Sequence, residues 1–161
     1  MFSLSVTLLS VIVVTILSPA CSSPPPADAS PWSVQIKTSG GIAGRGKGDV
    51  LITSDGKIRY EPPRVPGKPA RPCEERLSGE ELRAVSEAVG RSQPEGWELS
   101  GLNAAAPDAF AYELELRRGG KDQVYKVKWY DNTRDQLPED LKRLSEAVDH
   151  ATGVAAKKCV G

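Results

Sequence analysis

Apolar and polar side chains alternate along much of this chain, and the clearest run lies between Asp108 and Tyr130. Phe110, Tyr112, Leu114 and Leu116 interleave with Ala111, Glu113, Glu115 and Arg117, the period-two signature of a strand with one face buried and one in water. After Arg118, Gly119, Gly120 and Lys121, the pattern resumes with Tyr125, Val127 and Trp129 against Lys126 and Lys128, so the two runs form a long antiparallel hairpin. Upstream, Val34, Ile36 and Thr38 alternate with Ser33, Gln35 and Lys37, and this first strand stops at Ser39, Gly40 and Gly41. Asp49 to Thr53 and Lys57 to Glu61 flank Ser54, Asp55 and Gly56, and Asp-Gly between apolar runs is a strong hairpin signal.

Two segments carry the helical period instead. Ser78 followed by Glu81 is a capping box; Leu77 is placed as its staple onto Leu82, Val85 and Val89 continue the apolar face, and Gly90 is the expected stop. A last helix starts at Pro138, with Glu139 and Asp140 near the positive end of its dipole, and puts Leu137, Leu141, Leu144 and Val148 on one face. Gln93 to Pro107 is a loop in which Trp97 and Leu99 are expected to tuck under. The fold class implied is α+β: an antiparallel sheet of about five strands, the N-terminal strands plus the central hairpin, covered by two helices.

The first 31 residues follow neither period. Phe2 to Leu17 is apolar with only Ser and Thr for relief, too short for a spanning helix, which needs about 20 residues, and it reads as an export signal although it lacks the usual early Lys or Arg. Small residues before Cys21 suit lipoprotein processing with Cys21 as the lipidated first residue, while Ser18 and Ala20 also fit ordinary cleavage after Ala20. Ser22 to Pro31 reads as a stiff tether. The division is therefore a signal peptide over 1–20, a Pro/Ser-rich tether over 21–31, a domain over 32–152 and a C-terminal tail over 153–161. The expected location is outside the cytoplasm, either anchored in the bacterial envelope through Cys21 or secreted.

The chain has 161 residues, with 21 acidic and 21 basic side chains. That balance favours neither nucleic acid nor an anionic membrane surface, so membrane contact is expected only through the Cys21 lipid. With Cys21 set apart, Cys73 and Cys159 remain as an even pair in an oxidising compartment; a bond between them would stabilise the fold by roughly 4 kcal/mol, the alternative being two free thiols. No Cys/His spacing indicates a metal or redox site, and no cofactor is expected.

Gly41 to Lys47 has the spacing of a phosphate-binding loop, but Gly48 replaces the required hydroxyl residue and a strand follows, which removes the nucleotide reading. What remains is either a flexible connection or a binding loop presenting Ile42 among glycines that admit a partner close to the backbone. Pro63, Pro66, Pro69 and Pro72 recur every third residue, the repeat of polyproline II, and read as a stiff surface loop ending at Cys73. His150 is the sole histidine and has no evident partner, and with no nucleophile elbow or Rossmann loop the chain is not expected to be an enzyme.

Ser39 to Gly44 after a first strand, a capped helix, Asp108 to Leu114 opening a hairpin, and Leu137, Pro138 and Leu141 opening a final helix together resemble the emfourin family. Emfourins are small bacterial inhibitors of protealysin and related thermolysin-like zinc metalloproteases. The likeness spans roughly Ser33 to Val148; the Asp55-Gly56 hairpin with its proline strip, the leader and the two later cysteines depart from the family pattern. The resemblance implies a monomeric inhibitor whose Gly-rich loop blocks a protease cleft, with Gly40, Gly41, Ile42, Ala43 and Arg45 as contacts. Asp49 is a weaker candidate as an oxygen ligand to the protease's zinc. The competing expectation is a non-catalytic envelope lipoprotein domain that binds another surface protein.

Overall fold

In the computed structural model, residues 30–41, 44, 46–63, 65, 67, 71–97, 99, 106–119 and 123–160 are described. The signal segment, Cys21 and the tether up to residue 29 lie outside the described residues, as do Ile42, Ala43, Arg45, Pro66 and Pro69. Six strands form one sheet: β1 (Trp32–Gly40), β2 (Asp49–Thr53), β3 (Lys57–Glu61), β4 (Cys73–Arg76), β5 (Phe110–Arg118) and β6 (Gln123–Tyr130). Their spatial order is β4-β3-β2-β1-β5-β6, and every neighbouring pair is antiparallel. β1 and β5 are central and pair along their full length, from Trp32 opposite Arg118 to Gly40 opposite Phe110.

Alternation decides which face is buried. Val34, Ile36, Ile52, Ile58, Leu114, Leu116, Val127 and Trp129 all point to one side and are buried, and the helices α1 (Gly79–Arg91) and α2 (Glu139–Val160) cover that side. Val85, Val89, Leu141, Leu144 and Val148 supply the helical half of the core. Burying one such side chain contributes about 1.5–3 kcal/mol, so this shared layer is what holds the two helices to the sheet. The opposite face carries Lys37, Glu113, Glu115, Lys126 and Lys128 toward water, with Lys126 on Glu115 at 3.1 Å and Lys128 on Glu113 at 3.4 Å.

The α1 capping box is present in both directions: Glu81 N–H donates to Ser78 Oγ at 3.2 Å, and Ser78 N–H to a Glu81 carboxylate oxygen at 2.6 Å. Gly90 does not stop α1, which runs to Arg91; buried Ser92 caps it by donating its N–H and hydroxyl to the carbonyls of Ala88 and Val89. Trp97 and Leu99 pack against the core as expected, and the Trp97 ring N–H reaches Asp140 at 2.9 Å.

Two elements differ from expectation. β4 adds a sixth strand from Cys-Glu-Glu-Arg, a sequence with no apolar alternation, because an edge strand with little buried surface needs only its pairing to β3. The tail expected over 153–161 is instead helical through Val160. Buried Ala151 and Ala155 extend the face begun by Leu141, Leu144 and Val148, and their small size hid the helical period. Cys159 in that last turn is joined to Cys73 of β4, so the expected disulfide is formed, tying the sheet edge to the end of α2.

Candidate functional site

The glycine-rich stretch connects β1 to β2 at one end of the sheet, and Thr38 is its anchor. The Thr38 hydroxyl donates to the Gly48 carbonyl at 2.7 Å and accepts from Lys47 N–H at 2.6 Å, while Thr38 N–H donates to Asp49 Oδ1 at 3.1 Å. One side chain thus pins the last residues of the loop onto the end of β1. Gly46 N–H closes back on the Gly40 carbonyl at 3.0 Å, Gly44 N–H on Gly41 at 2.8 Å, and Gly41 N–H on Ala109 at 3.2 Å. Both ends of the loop are therefore held by the sheet and by the segment that enters β5.

Gly46 lies at φ 66°, and a Cβ there would collide with the Thr38 carbonyl, so only glycine passes this point. Gly48, at φ 101°, packs under Tyr60, whose ring a Cβ would meet at 3.0 Å, and the Tyr60 hydroxyl reaches the Lys47 carbonyl at 3.3 Å. Burial raises the Tyr60 phenol above its ordinary pKa, so it remains a neutral donor here.

Lys47 folds back over the aromatic end of the core. Its ammonium donates to the Tyr112 hydroxyl at 2.6 Å and stands 4.6 Å from the Phe110 ring centre and 5.3 Å from that of Tyr112. Tyr112 in turn stacks on Trp129, with ring centres 5.4 Å apart and planes 4° from parallel. A cation on a stacked aromatic pair is a directional contact, so it fixes Lys47, at the β2 end of the loop, more tightly than a glycine-rich sequence suggests. Phe110 N–H donates to Asp131 Oδ1 at 3.3 Å, which sets the turn after β6 beside the loop.

Of the residues expected to make contact, Gly40 and Gly41 stand at the β1 end of this loop, with Gly40 closing the β1–β5 ladder opposite Phe110; Ile42, Ala43 and Arg45 lie outside the described residues. Asp49, weighed as an oxygen ligand, uses Oδ1 to hold Thr38 N–H. The roles of Thr38, Tyr60 and Tyr112 emerge only from the structure, as does the contact that Lys47, noted in the sequence only for its glycine-loop spacing, makes with them. Thr38, Tyr60 and Tyr112 alternate like ordinary strand residues, and the one available signal was a hydroxyl residue ending a strand just before a glycine run.

The opposite end of the sheet carries a second polar group. Arg118 donates to Ser92 O at 3.0 Å, and Tyr125 donates to Glu95 at 2.7 Å, a bond that lowers the Glu95 carboxyl and raises the Tyr125 phenol. Burial pushes the Asp140 carboxyl upward, but hydrogen bonds from Gln93 N–H and the Trp97 ring N–H outweigh it and the net direction is down. These groups are engaged within the fold, except that Arg118 Nε is buried without a hydrogen-bond partner. A shallow depression of about 290 Å³ on the open sheet face is lined by Gln35, Lys37, Glu113, Glu115, Lys126 and Lys128. Among the described residues no group of three or more His, Cys, Asp or Glu is placed to hold a metal ion, and no helix is long and apolar enough to cross a membrane.

Compared with protein-family models the chain matches none, and a search of curated proteins likewise finds no match.

Proposed function

We propose that this protein is a non-catalytic inhibitor of thermolysin-like zinc metalloproteases, acting from the β1–β2 loop. The observation that carries this reading is the Thr38 clamp: a loop with five glycines, Gly40, Gly41, Gly44, Gly46 and Gly48, is pinned at both ends by backbone and side-chain hydrogen bonds. A loop whose two ends are already held loses less conformational entropy on docking than a free one. Ile42 is the apolar residue suited to the pocket beside the protease's zinc, with Gly40, Gly41, Ala43 and Arg45 contacting the cleft walls. The emfourin resemblance supports the same loop and the same class of partner.

The direction of β1 fits such a role. The chain arrives from the tether at Trp32 and reaches the loop at Gly40, a separation of about 26 Å at strand rise. A domain held to an envelope through its N-terminal side would present the loop at its far end. The test is inhibition of thermolysin by residues 22–161, which include every described element and the whole core, compared with the same chain carrying Ile42→Asp. Loss of inhibition in the variant is expected. Equal inhibition by both would remove the loop assignment, and binding to an envelope protein without any inhibition would favour the lipoprotein alternative.

A further inference from the structure

We infer that the Cys73–Cys159 disulfide holds the Gly46–Gly48 end of the β1–β2 loop in place by way of Tyr60, so that the order of this end depends on the redox state of the chain. Cys73 pairs directly with Tyr60 at the loop-side end of the β3–β4 ladder. Opposite residues of an antiparallel pair share a face, so the crosslink and the Tyr60 ring lie on the same side of the sheet. That ring packs on Gly48, and its hydroxyl holds the Lys47 carbonyl. Lys47 and Gly48 are the two residues that the Thr38 hydroxyl clamps. A continuous set of contacts therefore runs from the sulfurs to the loop.

The crosslink is the strong member of this set and β4 the weak one. β4 has four residues, Cys73–Arg76, lies at the sheet edge, and pairs only with β3. Short edge strands with little buried surface open first, and the bond to Cys159 in the last turn of α2 is what holds this one at its Cys73 end. A dithiol reductant would break the S–S bond, delivering two electrons and two protons to leave thiols at Cys73 and Cys159 while itself closing to a disulfide. β4 then frays, Tyr60 loses its neighbour, and the clamp on Lys47 and Gly48 loosens, whereas β1 and β5 retain their mutual ladder. The consequence for inhibition rests on the function proposed above; the structural coupling does not.

Amide hydrogen exchange on residues 22–161 tests the coupling, comparing the oxidised chain with a chain reduced, capped with iodoacetamide and freed of reagents. The Gly46 and Lys47 amides are expected to exchange about tenfold faster or more in the reduced chain through a local opening, at rates well above those of Ile36 and Leu114, which speed up only as far as the global stability falls. Tyr60→Phe in the oxidised chain should accelerate the same loop amides without opening β4, and reduction of that variant should add little more at the loop. Unchanged loop exchange on reduction, loop amides that exchange only at the global rate of Ile36 and Leu114, or a silent Tyr60→Phe would each overturn the inference. Thermolysin inhibition by the same samples separates the two proposals: an oxidised chain that fails to inhibit refutes the function while the exchange data still decide the coupling.

Discussion

Replacing Thr38 by Val removes the clamp while keeping the shape of the side chain. Thr38 is part-buried, and its hydroxyl makes two bonds, from Lys47 N–H at 2.6 Å and to Gly48 O at 2.7 Å. Each such bond contributes about 0.5–1.5 kcal/mol net, so the pair holds the ordered loop by about 1–3 kcal/mol. Since Thr38 lies at the end of β1 and its backbone pairing is untouched, that loss should fall on the loop rather than on the domain. The expected result is a melting temperature near that of the parent, faster exchange at the Lys47 amide, and inhibition of thermolysin weaker by about 5- to 150-fold, the same energy expressed as an affinity ratio. Thr38→Ser keeps the hydroxyl and should retain most of the affinity. A Thr38→Val chain with parental Lys47 exchange and parental inhibition would refute the claim that this hydroxyl orders the loop.

Other outcomes follow from the core, the cap and the charges. Leu144→Ala, at a position with no exposed surface between α2 and the sheet, should lower stability by about 2–5 kcal/mol in denaturant titration. Ser78→Ala removes the acceptor for Glu81 N–H and should cost about 1 kcal/mol by the same measurement, with inhibition unaffected. Hydrogen bonds from Thr53 and Lys57 lower the Asp55 carboxyl to about 2. Its folded pKa lies below the ordinary value, so its stabilising contribution is complete above about 4 and is lost as pH falls toward 2. A carboxyl chemical-shift titration in which Asp55 has its midpoint near 4 would contradict this. Replacing both Cys73 and Cys159 by Ser should lower stability by about 2–5 kcal/mol, read from thermal melts of the two chains.

Strands and helices with strong periods were legible in the sequence. The 110–129 hairpin, the Ser54-Asp55-Gly56 turn and the Ser78–Glu81 box each depend on residues close together in the chain, and each stands where the pattern placed it. β4 and the end of α2 were not legible, because Glu74, Glu75 and the alanines of α2 take their structure from a neighbouring strand and from the sheet beneath. The Cys73–Cys159 bond followed from counting cysteines, since two remained once Cys21 was assigned to lipidation. The loop was recognisable as glycine-rich, but what orders it was not. Thr38 meets Lys47 across nine positions, Tyr60 meets it across 13 and Tyr112 across 65, and a period of two says which way a side chain points without saying what it will touch.

The most direct test of the inhibitor reading is a steady-state titration of thermolysin with oxidised residues 22–161. Dose-dependent loss of activity approaching one inhibitor per enzyme, with the chain recovered intact, is the expected result. Full protease activity at high micromolar concentrations of the chain, or cleavage within residues 40–48, would contradict it.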